Sequence, residues 1–226
     1  MQAAPVVLVH GFASSFHRNW REPGWVDLLE EGGRTVIPVD LLGHGDAPKP
    51  HDPAAYADLE SGVEAVLPEG PVDGLGFSLG ARVLLTLAAR APDRFGKIVV
   101  GGVGENLFRE DSTDAVARVL EGGDLPSHPE MQAFARFAQN SGNDPLAMAA
   151  VLRRPTPPLT PEMLAAVTCP VLVVLGDRDF AKPADRLMDA LPNGTLVTLK
   201  GVDHLATPTD FGFIDATLEF LDALPG

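Results

Sequence analysis

Val72-Asp73-Gly74-Leu75 runs into Gly76-Phe77-Ser78-Leu79-Gly80, and an apolar pattern with helical spacing continues from Leu79 to Ala91. A buried strand, a serine bracketed by glycines and a helix therefore follow one another without a loop. A residue at so sharp a strand-to-helix turn takes a strained backbone conformation. Side chains two residues away on either side would collide there, and Gly76 and Gly80 remove them. Ser78 is then expected above the C-terminal edge of a sheet. The N–H groups and positive dipole end of the next helix lie beside it.

Outward from this stretch, short Val/Ile/Leu runs recur at Val6–Val9, Val36–Val39, Lys97–Val100, Val171–Leu175 and Leu196–Leu199. Each is nearly continuous in apolar residues, as a strand buried on both faces of a parallel sheet requires, and each ends in a turn containing Gly or Asp. Helical patterns fall between them at Trp25–Glu31, Ala54–Leu67, Ala184–Leu191 and Asp210–Leu224. The alternation predicts a doubly wound α/β fold with a mostly parallel sheet. It is interrupted once. Residues 104–167 hold no strand pattern but helical segments near Thr113–Leu120, Glu130–Gln139, Leu146–Arg153 and Pro161–Val167. The expected organisation is a core of residues 1–103 and 168–226 with residues 104–167 inserted as a helical lid.

Composition narrows the function. The 226 residues are 45% hydrophobic and 21% charged, as in a soluble globular domain. A formal charge of −14 argues against nonspecific binding to nucleic acid or an anionic membrane. The single cysteine, Cys169, excludes an intramolecular disulfide; beside the run Pro170–Leu175 it reads as a packing residue. Met1-Gln2-Ala3-Ala4-Pro5 lacks the basic start and apolar core of a signal peptide, and no apolar run reaches 18 residues. A cytoplasmic protein without a membrane span is expected. Gly74-Leu75-Gly76 begins like a dinucleotide loop, but Leu79 stands where the last glycine belongs, and neither a phosphate-binding G-x-x-x-x-G-K-[ST] nor a zinc-binding H-E-x-x-H motif occurs. No cofactor and no metal are expected, and the partner is a small-molecule substrate.

Serine is a poor nucleophile near neutral pH unless a base takes its proton and an acid orients that base. Downstream of Ser78 the histidines are His128, at a turn or helix start within the insertion, and His204, in the loop between the last strand and the final helix. His204 is at the same sheet edge as Ser78 and is the candidate base. The run Val171–Leu175 leads into Gly176-Asp177-Arg178-Asp179, which supplies two candidate acids. Spacing leaves Asp177 and Asp179 open.

The order Ser78, Asp, His204 resembles that of the α/β-hydrolase superfamily, and the resemblance covers nearly the whole chain outside the insertion. His10-Gly11-Phe12 is similar to the family's His-Gly oxyanion loop, and Asp40-Leu41-Leu42-Gly43-His44-Gly45 to its Asp-x-x-Gly-His-Gly turn. The resemblance implies an oxyanion hole from the backbone N–H groups of Phe12 and Leu79. It also favours Asp179, at the end of Gly-x-x-Asp, as the acid and leaves Asp177 to a turn. His10 and His44 are expected to brace their loops. Relatives often carry a hairpin before the His-Gly strand, whereas five residues precede Val6 here, so a reduced sheet of about six strands is expected.

The implied chemistry is hydrolysis of a small or medium carboxylic ester through an acyl-enzyme on Ser78. Phe108, Met131, Phe134 and Phe137 of the insertion are candidates for an apolar acyl pocket. The same triad also serves C–C bond hydrolysis, thioester or lactone cleavage, perhydrolysis and a menaquinone-pathway lyase, and the same fold serves slow-turnover ligand receptors. Haloalkane dehalogenation needs a carboxylate where Ser78 stands.

Overall fold

The computed structural model describes residues 3–109 and 113–224, with Glu130 by its backbone only. Met1 and Gln2, on which part of the leader reading rests, and residues 110–112 of the insertion lie outside the described residues. The strands are β1 (Val6–Val9), β2 (Val36–Val39), β3 (Val72–Phe77), β4 (Phe95–Gly101), β5 (Val171–Gly176) and β6 (Gly194–Leu199). They form one parallel sheet in the order β2-β1-β3-β4-β5-β6. Val9 pairs with Gly76 and Gly76 with Val100, so the C-terminal ends of the central strands are level. Pro38, which has no N–H to give a ladder, sits on the edge strand β2.

Alternation along the strands feeds two cores. Val7, Val9, Ile98, Val100 and Val173 pack with Leu84 of α3 (Leu79–Arg90) on one face. Leu8, Leu75, Val99 and Val174 pack on the other with Trp25 of α1 (Trp25–Glu31) and Phe213 of α9 (Phe211–Phe220). Full burial of an aliphatic side chain contributes about 1.5–3 kcal/mol, which makes this doubly sided burial the main stabilising term. The indole N–H of Trp25 donates to the Pro208 carbonyl at 2.7 Å, so its burial leaves no lost hydrogen bond. At the N-terminal end of the sheet the Arg34 guanidinium pairs with Asp73, whose other oxygen accepts the Lys97 N–H at 2.7 Å.

The structure departs locally from the sequence pattern at two places, and the first has a clear physical cause. The helix expected over Ala54–Leu67 is divided into a 3-10 turn, Pro53–Tyr56, and α2, Leu59–Glu64. Asp52 and Asp58 each cap the piece that follows them, accepting from Ala54 N and Ser61 N, and a cap in mid-run competes with helix continuation. A single π-helical turn, His17–Arg21, forms where no element was expected.

Residues 104–167 carry a 3-10 turn, Glu105–Phe108, and α4 (Asp114–Leu120), α5 (Pro129–Gln139), α6 (Pro145–Leu152) and α7 (Pro161–Ala165), with no strand among the described residues. Prolines at the first turns of α5, α6 and α7 start those helices where the missing N–H costs nothing. The loop between α5 and α6 is strapped to the core. Asn143 accepts the Gly45 N–H at 2.9 Å and donates to Ser14 O at 3.1 Å, and Arg18 donates to Ser141 O. The helical segment is thereby seated on the loops that follow β1 and β2. Past it, α8 (Asp185–Ala190) packs on α7 and β6. No helix is long and apolar enough to cross a membrane, and no cluster of metal-ligating side chains occurs among the described residues.

Candidate active site

Strand β3 runs to Phe77, so its ladder reaches the turn itself: Ser78 N donates to Gly101 O at 2.8 Å. Ser78 then has φ 51° and ψ −108°, a strained conformation for a non-glycine residue. The flanking glycines are required sterically. A Cβ on Gly80 would lie 2.1 Å from Val9 O, and one on Gly76 would lie 2.8 Å from the Ala81 backbone nitrogen.

His204 occupies the turn between β6 and α9, and its Nε2 lies 3.0 Å from Ser78 Oγ. Its Nδ1 lies 3.0 and 2.9 Å from the two oxygens of Asp179. A carboxylate there accepts, so Nδ1 carries the proton and Nε2 is left as the acceptor facing the serine. Asp179 is fully buried and also accepts the Ala181 N–H at 2.8 Å. Asp177 is not brought to the imidazole; it accepts the Gly201 N–H at 2.7 Å and ties the two turns together. The His204 ring is flanked by Phe77 and Phe180, with centroids at 4.9 and 4.2 Å. Gly102, at φ 70°, leaves that room, since its Cβ would lie 3.0 Å from His204 Cε1.

The His-Gly loop passes beside Ser78. His10 Nε2 accepts the Leu41 N–H at 3.1 Å, which leaves Nδ1 to donate to Gly11 O at 2.7 Å. His44 Nδ1 contacts Leu42 O at 3.1 Å, so both histidines brace their loops. Burial lowers the pKa of both from the usual histidine value. Asp40 accepts from Phe16 N at 2.7 Å and Asp46 N at 2.9 Å, holding the turn after β2. A residue not foreseen, the buried Asn19, accepts the Gly11 N–H at 3.1 Å and fixes the loop that carries Phe12. Phe12 and Leu79 line the same cavity as Ser78 and His204.

That cavity has a volume of about 500 Å³, and a smaller one of about 150 Å³ opens beside it over Ser78. Met131 and Phe134 line the larger, and Phe134 and Phe137 the smaller. Phe108 departs from the expected pocket: it is buried beneath the Arg186 guanidinium at 4.2 Å and lines neither cavity. Three arginines, Arg82, Arg109 and Arg154, line the larger cavity, and the apolar spacing that singled out the phenylalanines gave them no signal. Cys169 is buried as expected, and burial pushes its thiol up to about 11, away from reactivity.

The chain is 44% identical over 93 residues to a pimeloyl-[acyl-carrier protein] methyl ester esterase of Neisseria meningitidis, covering 39% of this chain and 32% of that protein. The match thus spans about a third of the esterase's length. It is 29% identical over 219 residues to 2-(acetamidomethylene)succinate hydrolase of Mesorhizobium japonicum, covering 84% of this chain and 79% of the other. The solved structure of MenH from S. aureus superposes with a TM-score of 0.77 at 21% identity, covering 96% of this chain and 93% of that one, a likeness of fold. Residues 6–216 match the Alpha/beta hydrolase family. With its parallel sheet, its Ser78 elbow and this match over nearly its whole length, the chain belongs to the alpha/beta hydrolase family.

Proposed function

We propose that the protein is a serine hydrolase that cleaves a small or medium carboxylic ester through an acyl-enzyme on Ser78. The observation that carries this reading is the continuous hydrogen-bonded line from Ser78 Oγ through His204 to the buried Asp179. In this mechanism Ser78 Oγ attacks the ester carbonyl while its proton passes to His204 Nε2. Asp179 keeps the proton on Nδ1 and stabilises the imidazolium. The Phe12 and Leu79 N–H groups receive the developing oxyanion, each donor contributing about 3–4 kcal/mol to the transition state. His204 gives its proton to the departing alkoxide. It then takes one from water, whose hydroxyl adds to the acyl carbon; the adduct collapses as His204 returns that proton to Ser78 Oγ, releasing the acid and free Ser78.

Residues 104–167 act in this reading as the lid, its Met131, Phe134 and Phe137 giving an apolar wall to the acyl group. The names of the relatives, an esterase and a hydrolase, support the reaction class. A fluorophosphonate probe tests the nucleophile. Wild type is expected to label at one site and Ser78→Ala to remain unlabelled, with loss of turnover on p-nitrophenyl esters. Equal labelling of the two proteins would overturn the assignment. Rapid labelling of wild type with negligible turnover on every ester would replace the enzyme with a ligand receptor.

A further inference from the structure

The larger cavity beside Ser78 is unusual in its charge. In a chain of net charge −14, it gathers Arg82, Arg109 and Arg154 around one space. Arg82 lies one helical turn beyond Ser78 on α3, its backbone N–H donating to Ser78 O at 3.0 Å. Its guanidinium is steered by the carbonyls of Leu107 and Pro157. Arg109 reaches the carbonyl of Phe180, whose ring flanks His204, at 3.5 Å. Arg154 follows α6, is only partly exposed and donates to Val151 O at 2.7 Å.

Arg154 is the telling member. Among the described residues no carboxylate lies within ion-pair distance of it. Burial and then the like charge of Arg82 push its guanidinium down to about 10, against a smaller opposing pull from Glu60. A guanidinium kept partly out of water beside another cation is unfavourable unless an anion joins it. Guanidinium forks match a carboxylate in two parallel hydrogen bonds, and low-dielectric walls strengthen the attraction. Leu107, Val116, Met131 and Phe134 give the same cavity an apolar part, beside the polar Asn106, Thr113 and Thr156.

We propose that Arg82, Arg109 and Arg154 form a carboxylate-binding subsite, so that the ester cleaved at Ser78 carries a free carboxylate a few methylenes from its scissile carbonyl. The inference rests on the serine-hydrolase reading for the reaction and on the arginines alone for the binding. The spacer is short, because Arg82 and Ser78 line one cavity from adjacent turns at the head of α3. The apolar wall takes the methylenes and the guanidinium groups take the charge, while the alcohol leaves on the open side. For a monomethyl dicarboxylate the products are methanol and the dicarboxylic acid, the water supplying the hydroxyl and the proton.

The test compares monomethyl succinate, glutarate and adipate with methyl butyrate, valerate and hexanoate, reading methanol release. The kcat/KM ratio of anionic to neutral ester is expected to exceed about tenfold at the best chain length and to fall at least tenfold in Arg154→Met, with Arg154→Lys between the two. A wild type that prefers the neutral esters, or an unchanged ratio in Arg154→Met, overturns the subsite. Binding of adipate against adipamide to Ser78→Ala, followed by calorimetry, separates this from failure of the nucleophile. Adipate binding that weakens at least tenfold in Arg154→Met, and less in Arg154→Lys, in a protein whose Ser78 never labels, would keep the subsite and reject the serine mechanism. Labelling of Ser78 with no preference for adipate would do the reverse.

Discussion

Replacing Asp179 by Asn is the sharpest probe of how the imidazole is held. Both Asp179 oxygens lie within 3.0 Å of His204 Nδ1, and Oδ1 also accepts the Ala181 N–H at 2.8 Å. An asparagine keeps the Ala181 hydrogen bond only by placing its own carbonyl there, which turns its NH2 toward His204. That NH2 stands in the Oδ2 place, 2.9 Å from Nδ1, where a proton on Nδ1 would set donor against donor; Nδ1 therefore accepts, the proton moves to Nε2, and a donor rather than an acceptor faces Ser78 Oγ at 3.0 Å. The loss in serine proteases that suffer the same tautomer change is about 10⁴ in kcat, equivalent to about 5.4 kcal/mol of barrier. Turning the asparagine the other way sets two donors against each other in a fully buried place, at about 1–3 kcal/mol, so the tautomer change is preferred. The assay is kcat on a p-nitrophenyl ester, with circular dichroism confirming the fold. Asp177→Asn is the companion, because its Oδ1 serves only the Gly201 N–H, and it is expected to alter kcat less than about threefold. A modest loss in Asp179→Asn, or a larger loss in Asp177→Asn, would refute the reasoning.

Strain at the elbow gives a second outcome. Ser78 sits at φ 51°, so Ser78→Gly should be about 1 kcal/mol more stable than Ser78→Ala, a rise of roughly 2–4 °C in Tm for a domain of this size. Equal melting temperatures would show that the turn stores no strain. The third concerns pH. Burial holds the His10 and His44 imidazoles below their ordinary value, and the charges of His10 and Arg154 lower His44 further. The unfolded chain therefore binds more protons below about pH 6.5, where the ordinary value lies. The stabilising contribution is complete above that pH and declines as pH falls, by about 1.4 kcal/mol per pH unit for each histidine. Denaturant unfolding at pH 5, 6 and 7 should show this slope, and His44→Gln should reduce it; a flat wild-type profile would contradict the assignment.

Much of the fold was legible because the strands are continuous apolar runs, and burial on both faces of a parallel sheet imposes that pattern locally. Strand β1 and helix α1 fall at the expected residues. Strand β3 runs two residues past its apolar run, since Gly76 and Phe77 keep pairing with Val100 and Gly101. The break in the expected Ala54–Leu67 helix was visible only as Asp58, whose role as a cap depends on the geometry it adopts.

The sequence by itself marked the candidate residues in the turns that follow strands: His10-Gly11-Phe12, Ser78, the pair Asp177 and Asp179, and His204. Parallel topology sends every such turn to one edge of the sheet, so chain order alone implies that they meet. The choice of oxygen and nitrogen belongs to the tertiary structure. Asp179 rather than Asp177 reaches His204 because the turn after β5 also engages Gly201. Tertiary structure also decided what surrounds Ser78. Asn19 meets Gly11 through a π-helical turn, and Arg82, Arg109 and Arg154 meet around one cavity from three separate segments. Electrostatic attraction and burial act through space, with no period along the chain to announce them. The serine was therefore readable in one dimension, whereas the charge of the pocket above it arises only in three.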